Sequence, residues 1–344
     1  MGDIVFLFVL GYYSYLYRLY QMLMLRLLVL MLLLSGMQLL RAQQAIPFTL
    51  FSQNPMQYNP AYAGLGGSLV MVAGYRRQWA QLLESPVSQY LTVHMPVSVL
   101  GGGAGLQVNT DRLGAVRHTA MTLSYSMHRE IGAGVLTVGM SGGLIQRRLD
   151  GQLLRTPTGE YEPGAIPVHY DDLLPVGRER GWMPVVHAGV YYKTDRLELG
   201  LGVHNLAEQN LSLPTLRYTL DRSFTLQGMY QVVVGSRMVL RPALLVRTDL
   251  IQVQTDIAVM MQLEENMTFG LSLRGYSADT GDAVAGMIGF KLSENMTFSY
   301  AYDITLSRLR QVSAGSHELV LGYNLNRAMG RGRLPAIIYN PRTL

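Results

Sequence analysis

The sequence contains no cysteine. That absence excludes disulfide scaffolds, thiolate metal sites, thiol nucleophiles and a lipidated amino-terminal cysteine. Charge is scarce as well: Asp, Glu, Lys and Arg make up 15% of the 344 residues, against roughly 25% in soluble proteins. Hydrophobic residues reach 49% with a mean hydropathy of +0.16, so the chain lacks the charge that keeps a soluble protein of this size dispersed. A helical membrane protein fits no better. Beyond residue 43 there is no apolar run of about 18 residues, the length that a spanning helix needs. An apolar excess without spanning helices leaves the closed β-barrel, the other architecture that satisfies every backbone polar group in lipid. The formal charge of +5 is carried by arginines scattered over turns and strands. No basic stripe with interleaved aromatics is present, which argues against a nucleic-acid partner.

What the chain has in quantity is alternation. Thr297-Phe298-Ser299-Tyr300-Ala301-Tyr302-Asp303 places a phenylalanine and two tyrosines on one face and small or polar residues on the other. Glu318–Leu325 and Met121–His128 repeat the pattern. A period of two means strands, and apolar residues facing small polar ones mean a sheet with one greasy face. About fourteen such segments of roughly ten residues match the pattern of a transmembrane outer-membrane β-barrel of antiparallel strands. Strands are expected near 68–79, 88–96, 103–110, 118–129, 134–147, 184–193, 196–205, 222–233, 238–247, 254–263, 267–276, 283–292, 296–303 and 317–326.

The connections carry sidedness. Ile131–Ala133, Thr194-Asp195, Gly235–Arg237, Glu264–Asn266 and Ser293–Asn295 are tight, and between them fall longer ones at Gln81–Val87, Asp111–Arg117, Arg148–Met183, Leu206–Asp221 and Ile304–Ser316. Barrels of this class have short periplasmic turns and long extracellular loops. An exported chain starting in the periplasm would produce this alternation, and an even strand number returns its end to the periplasm.

Residues 1–42 are expected to be a signal peptide. Arg26 precedes the apolar run Leu27–Leu34, Ser35-Gly36 breaks it, and Ala42 offers a cleavage point. The Leu- and Tyr-rich stretch before Arg26 is unusual for such a segment, and translation starting at Met22 or Met24 would explain it. Residues 43–66 are expected to be a periplasmic amino-terminal segment or a plug, residues 67–326 the barrel, and residues 327–344 a basic periplasmic tail.

Chemistry-bearing constellations are thin. Seven histidines (His94, His118, His128, His169, His187, His204, His317) show no metal-ligand spacing. His204-Asn205 is the nearest approach to a surface-hydrolase arrangement and lacks a serine in register. The acidic words Asp111-Arg112-Leu113-Gly114 and Gly281-Asp282 hold too few oxygens for calcium. No catalytic, metal or cofactor site is expected. Small residues taken as inward-facing (Gly200, Gly202, Gly286, Ala301) would leave an open lumen or make room for a plug. Loop Arg148–Met183, with four prolines, the acidic residues Glu160, Glu162, Asp171 and Asp172, and Tyr161, Tyr170 and Trp182, is long enough to act as a binding cap.

Specific words then become visible. Pro47-Phe48 and Phe51-Ser52-Gln53 lead into Asn59-Pro60-Ala61-Tyr62-Ala63-Gly64, followed by Tyr75-Arg76-Arg77-Gln78-Trp79 and Glu84-Ser85-Pro86-Val87. Gly105-Leu106 with Asp111 and Gly114, Gly200-Leu201-Gly202 with Asn205, Ser299–Asp303 and Gly315-Ser316-His317-Glu318 complete the series. Together these resemble the PorP/SprF family of outer-membrane proteins of the type IX secretion system of Bacteroidota, over residues 47 to about 326. The resemblance implies a non-enzymatic barrel that assists secretion or surface anchoring of partner proteins such as large adhesins, with periplasmic secretion components among its partners. An outer-membrane transport barrel or porin for small solutes is the alternative. Joining the family words to the loop parity places Gln78, Trp79, Asp111, Asn205, Tyr302, Asp303, His317 and Glu318 at the extracellular rim. There they are expected to receive a segment of an exported client under loop 148–183, or else to brace the rim.

Overall fold

The computed structural model describes residues 47–327 except 98–100, 163–165, 214, 216, 265 and 276–281, and also residue 329. The expected signal peptide 1–42 lies outside the described residues, as does the expected tail 327–344 apart from Arg327 and Met329. Alternation produces fourteen wall strands. They are β1 (Val70–Arg77), β2 (Val87–Val97), β3 (Gly102–Leu113), β4 (Val116–Ile131), β5 (Gly134–Asp150), β6 (Arg178–Lys193) and β7 (Leu197–His204). There follow β8 (Ser223–Tyr230, resuming after Gln231 as Val232–Val234), β9 (Met238–Thr248), β10 (Val253–Leu263), β11 (Met267–Arg274), β12 (Ala283–Ser293), β13 (Met296–Thr305) and β14 (Ser316–Asn324). Each pairs antiparallel with its sequence neighbours, and β1 pairs with β14 from Val70–Asn324 to Arg77–His317. The sheet is therefore closed and has no free edge.

The face pattern is inverted relative to a soluble protein. On β10, Val253, Ile257, Val259 and Leu263 are exposed, while Gln254, Asp256 and Gln262 between them are buried. Strand β6 gauges the apolar band. Its outward residues run Trp182, Pro184, Val186, Ala188, Val190, Tyr192, with Arg178 and Arg180 beyond Trp182. At roughly 3.3 Å per residue the two aromatics stand about 33 Å apart along the strand. With a tilt of about 40°, that becomes about 25 Å of height, the hydrocarbon band of an outer-membrane barrel bounded by aromatic girdles.

Residues 47–69 run inside the cylinder. Three short helical turns, Phe51–Gln53, Pro55–Gln57 and Pro60–Tyr62, fold this segment, the last two starting at Asn-Pro steps. Proline suits the first position of such a turn because its missing N–H would have had no partner there. Phe48, Leu50, Phe51 and Tyr58 pack in one cluster with inward residues of the wall, among them Val72, Tyr90, Leu245, Met260 and Val320. Among the described residues, the largest apolar core cluster is thus made between the wall and the amino-terminal segment.

Three expectations about the wall need correction. Asp111–Arg117 is not a long loop: β3 and β4 continue to Leu113 and Val116, with Gly114 and Ala115 alone between them. Loop 148–183 is shorter than expected, because β5 runs to Asp150 and β6 starts at Arg178. Gly286 faces outward, since its neighbours Ala285 and Met287 are the buried ones. At the two connections polar residues continue the strands past the apolar band, and at Gly286 the buried Ala285 and Met287 set the phase.

Candidate functional site

Polar contacts hold the inner segment at two levels. Near the loop end of the wall, Arg76 of β1 donates to Glu318 of β14 at 2.9 Å and to Asp303 of β13 at 2.5 Å. Arg274 of β11 donates to the same Asp303 at 2.6 Å and lies 3.4 Å from Asp256 of β10, which also accepts from Arg247 of β9 at 3.1 Å. Three cations meet three carboxylates here, so the buried cluster is neutral. Thr49 sits in its middle. Its backbone N–H donates to Glu318 Oε2 at 2.7 Å, and that of Leu50 to Oε1 at 3.0 Å. The Thr49 hydroxyl donates to Asp303 at 2.6 Å and accepts from Arg76 at 2.9 Å and from Arg274. Arg76 is 1% exposed and Glu318 0%, and such charges persist in the interior only when fully paired.

Lower down, the Asn-Pro-Ala-Tyr-Ala-Gly word is bonded residue by residue to the wall. Asn59 Nδ2 donates to the carbonyls of Val190 on β6 (3.0 Å) and Leu201 on β7 (3.1 Å), while its Oδ1 accepts from Ala61 N at 3.0 Å. Thr137 of β5 donates to the Ala61 carbonyl at 2.7 Å. Ser126 donates to the Ala63 carbonyl at 2.6 Å, with His128 Nε2 at 3.1 Å from the same oxygen. Gly64 N donates to His94 Nδ1 at 3.2 Å, and Tyr62 stacks edge-on to Tyr191 with centroids 5.1 Å apart. Pro60 opens the turn that presents these groups. The backbone comes so close that a Cβ on Gly139 would lie 2.5 Å from Ala61 Cα, and one on Gly103 would lie 2.2 Å from Ala63 O. Small inward residues therefore make room for this segment.

At the loop end a hairpin, Gln209–Ser212 with Arg217–Leu220, folds inward. Leu211, Leu213 and Leu220 pack on Ile145, Met183 and Val185, and Arg147 stacks 3.5 Å over the Tyr218 ring. Loop 151–177 instead bonds largely to itself, through Thr156–Tyr161, Thr156–His169 and Glu160–Tyr170. The connection after β7 thus packs on inward residues of the wall at the loop end.

The expected rim residues are split by strand parity. Asp303 and Glu318 face inward into the latch just described, and Asp111 also faces inward, opposite Ser88. Tyr302 and His317 face outward, rings 5.1 Å apart, with Tyr300 Oη 2.7 Å from His317 Nδ1. Neighbouring residues on a strand point to opposite faces, so Tyr302-Asp303 and His317-Glu318 could not have formed one surface. Gln78 and Trp79 lie just past β1. Trp79 N donates to Ser316 Oγ at 3.1 Å, and Ala80 bonds Gly315 and Ala314 through its backbone, tying the loops after β1 and β13 together. Asn205 directly follows β7, its N–H donating to His187 and its amide to the Asp221 carbonyl. Arg274, Asp256 and Arg247 were missed. Their signal was a charge at an inward position of an otherwise apolar-and-small strand, which is legible only once phase is known. Among the described residues no His, Asp and Glu cluster that could hold a metal ion occurs.

A closed antiparallel cylinder with a girdled apolar exterior and a filled interior defines an outer-membrane β-barrel, and the outer membrane is where this chain resides. The family model described as "Type IX secretion system membrane protein PorP/SprF" matches residues 40–323. The chain belongs to the PorP/SprF family. Among solved structures it is similar to the monoaromatic hydrocarbon channel CymD, with 11% identity over 83% of this chain and 96% of that one, at a TM-score of 0.50. It is also similar to the toluene transporter TbuX of Ralstonia pickettii (11% identity, 78% and 92% covered, TM-score 0.46). A third is Omp33 of Acinetobacter baumannii (6% identity, 76% and 100% covered, TM-score 0.43). At such identities the likeness concerns the fold. No curated relative matches the sequence. Family membership makes the protein a type IX secretion barrel that interacts with secretion components and cargo.

Proposed function

We propose that this barrel is a non-enzymatic docking component, which holds or guides an exported client, such as a large adhesin, at the cell surface instead of conducting solutes. The observation that supports it most is the filled lumen. Residues 47–69 occupy the interior with apolar contacts to strands around the wall and with a neutral buried ion cluster at the loop end. A pore for solutes needs an open path, whereas a rigid closed cylinder suits a platform whose ends carry the contacts. The client face in this reading is the loop end. It comprises the joined loops around Gln78, Trp79 and Ala314, the inward hairpin after Asn205, and the outer lip at Tyr302 and His317. Asp303, Glu318 and Asp111 act behind that face by fixing the inner segment and the wall. The Asn59–Gly64 word keeps the interior closed. Periplasmic secretion components would meet the turn end.

The test is quantitative surface and medium proteomics on a strain lacking this chain, paired with single-channel recording of the purified barrel. One missing exported protein would mark a dedicated partner, and many would mark a core component. Unchanged export together with a steady solute conductance would sink the docking reading and favour a transport barrel.

A further inference from the structure

The outer surface of the wall carries a second feature that docking of a client does not use. Register aligns Arg77 with Val87, Val87 with Arg112, Arg112 with Arg117, Arg117 with Arg148, and Arg148 with Arg180. Five arginines therefore occupy one hydrogen-bonding row across β1 to β6. The parity of β3 and β6 sets this row on the outward face: Arg112 and Arg180 are exposed, and the alternate residues Asp111 and Glu179 point inward. Among the described residues Arg112, Arg117, Arg148 and Arg180 make no ion pair. Arg77 donates only to Ser85 Oγ, and Asp150, next along β5, is already held by Arg178 at 2.8 Å.

Like charges directly opposite one another on neighbouring strands destabilise a sheet. Here Arg112–Arg117, Arg117–Arg148 and Arg148–Arg180 are each directly opposite. An anion seated along the ladder would relieve that repulsion. Its depth says which anion. The row runs at right angles to tilted strands, so it climbs around the barrel. It starts two residues above the lipid-level Tyr75 and ends at Arg180, just beyond the girdle residue Trp182. That is the headgroup layer of the outer leaflet. Next to the ladder a groove of about 240 Å³ is lined by Tyr75, Val87, Gln89, Thr110, Arg112 and Arg117. It offers guanidinium forks, a hydroxyl and an amide above an apolar floor. Guanidinium forks pair bidentately with phosphate oxygens, and the rise of the row lets one charged headgroup touch several of them.

We propose that this arginine ladder binds the phosphorylated headgroup of an outer-leaflet glycolipid, with acyl chains lying on the apolar wall below Tyr75 and Leu91. The full-length protein in detergent would be titrated with bisphosphorylated lipid A, with the same lipid after phosphate removal, and with inorganic phosphate, and bound lipid counted by native mass spectrometry. Bisphosphorylated lipid is expected to bind, and the triple variant Arg112→Gln, Arg117→Gln, Arg148→Gln should bind it at least about tenfold more weakly. Arg129→Gln, an outward arginine near the turn end of β4, should leave binding unchanged. Variants are compared only where the unheated protein keeps the faster gel migration of a folded barrel. A second set, with lysine at the same three positions, keeps charge without the fork and should bind with intermediate strength. Equal binding by the glutamine variant, equal binding of the dephosphorylated lipid, or full displacement by millimolar inorganic phosphate would each overturn the proposal. The last would assign the ladder to free anions.

Discussion

Arg76 and Glu318 stand opposite each other across the seam that joins the first strand to the last, with Nη1 and Oε2 2.9 Å apart. The same carboxylate caps the backbone N–H groups of Thr49 and Leu50. One side chain thus takes part both in closing the wall and in holding what lies inside it.

Glu318→Gln should therefore loosen both. Removing one partner of a buried pair costs about 3–5 kcal/mol, because the other charge is left uncompensated. We expect the barrel to insert but to lose its compact gel form at lower temperature. Residues near Thr49 should become open to protease, and channel recordings should show intermittent openings. The double variant Arg76→Met, Glu318→Leu should recover much of the heat resistance without restoring the bonds to Thr49. A Glu318→Gln protein as heat-resistant and as silent as the parent would remove the latch from the account.

Gly139→Val tests the fit of the inner segment from the opposite side. The new side chain starts 2.5 Å from Ala61 Cα and 2.6 Å from Ala61 N, both of them backbone atoms that cannot turn away. Overpacking of this kind costs typically about 1–3 kcal/mol and more where backbone must move. Displacement should be read as loss of a cross-link between cysteines placed at Ala61 and Thr137, in a chain that otherwise has no cysteine. An undiminished cross-link would mean that the segment is looser than its hydrogen bonds imply.

The lipid face gives a third expectation. Leu123 on β4 is exposed to the bilayer near mid-band, whereas Ser124 beside it is buried inside. Leu123→Arg should cost about 2–4 kcal/mol in folding into vesicles. Thr119→Arg, near the outer end of the same face, should cost much less. Equal costs at the two depths would contradict the girdle positions set by Trp182 and Tyr192.

Much of this architecture was legible from the amino acids alone. Fourteen alternating runs and, apart from the turn at Gly114-Ala115, the order of short and long connections are local features, and family words such as Asn59–Gly64 survive any error in strand ends. Less visible were relationships that need phase or register. Tyr302 and Asp303 look like one motif in print, yet a pleat sends them to opposite sides of the wall. Gly286 and Gly200 look alike too, but one faces lipid and the other the interior. Asp256 and Arg274 face each other on the neighbouring strands β10 and β11, but Arg76 stands on the first strand, and only the closed sheet brings all three to Thr49. The arginine ladder is hidden for the same reason: Arg77 and Arg180 are aligned by pairings across five strand junctions, none of which is written in a single segment.

Leu211→Asp and Leu220→Asp address the hairpin after β7. Both side chains are buried on Ile145, Met183 and Val185, and a carboxylate there loses its hydration without a partner. The hairpin should swing out while the wall, whose pairings it does not share, keeps its heat resistance. If it contributes to the client face, surface display of the dependent protein should fall with barrel abundance unchanged. Normal display with a released hairpin would confine its role to covering the mouth.

Thr49 and Glu318 are separated by 269 positions along the chain. Contacts of such span form late, after the entropy of closing the long loop between them has been met. The final strand is therefore the chain's own proof of completion. A polypeptide that stops before Ser316 lacks the partner for β1, the counter-charge for Arg76 and the anchor for Thr49 at one stroke. Truncation is then a single defect, an open strand edge beside a buried arginine that has lost a counter-charge.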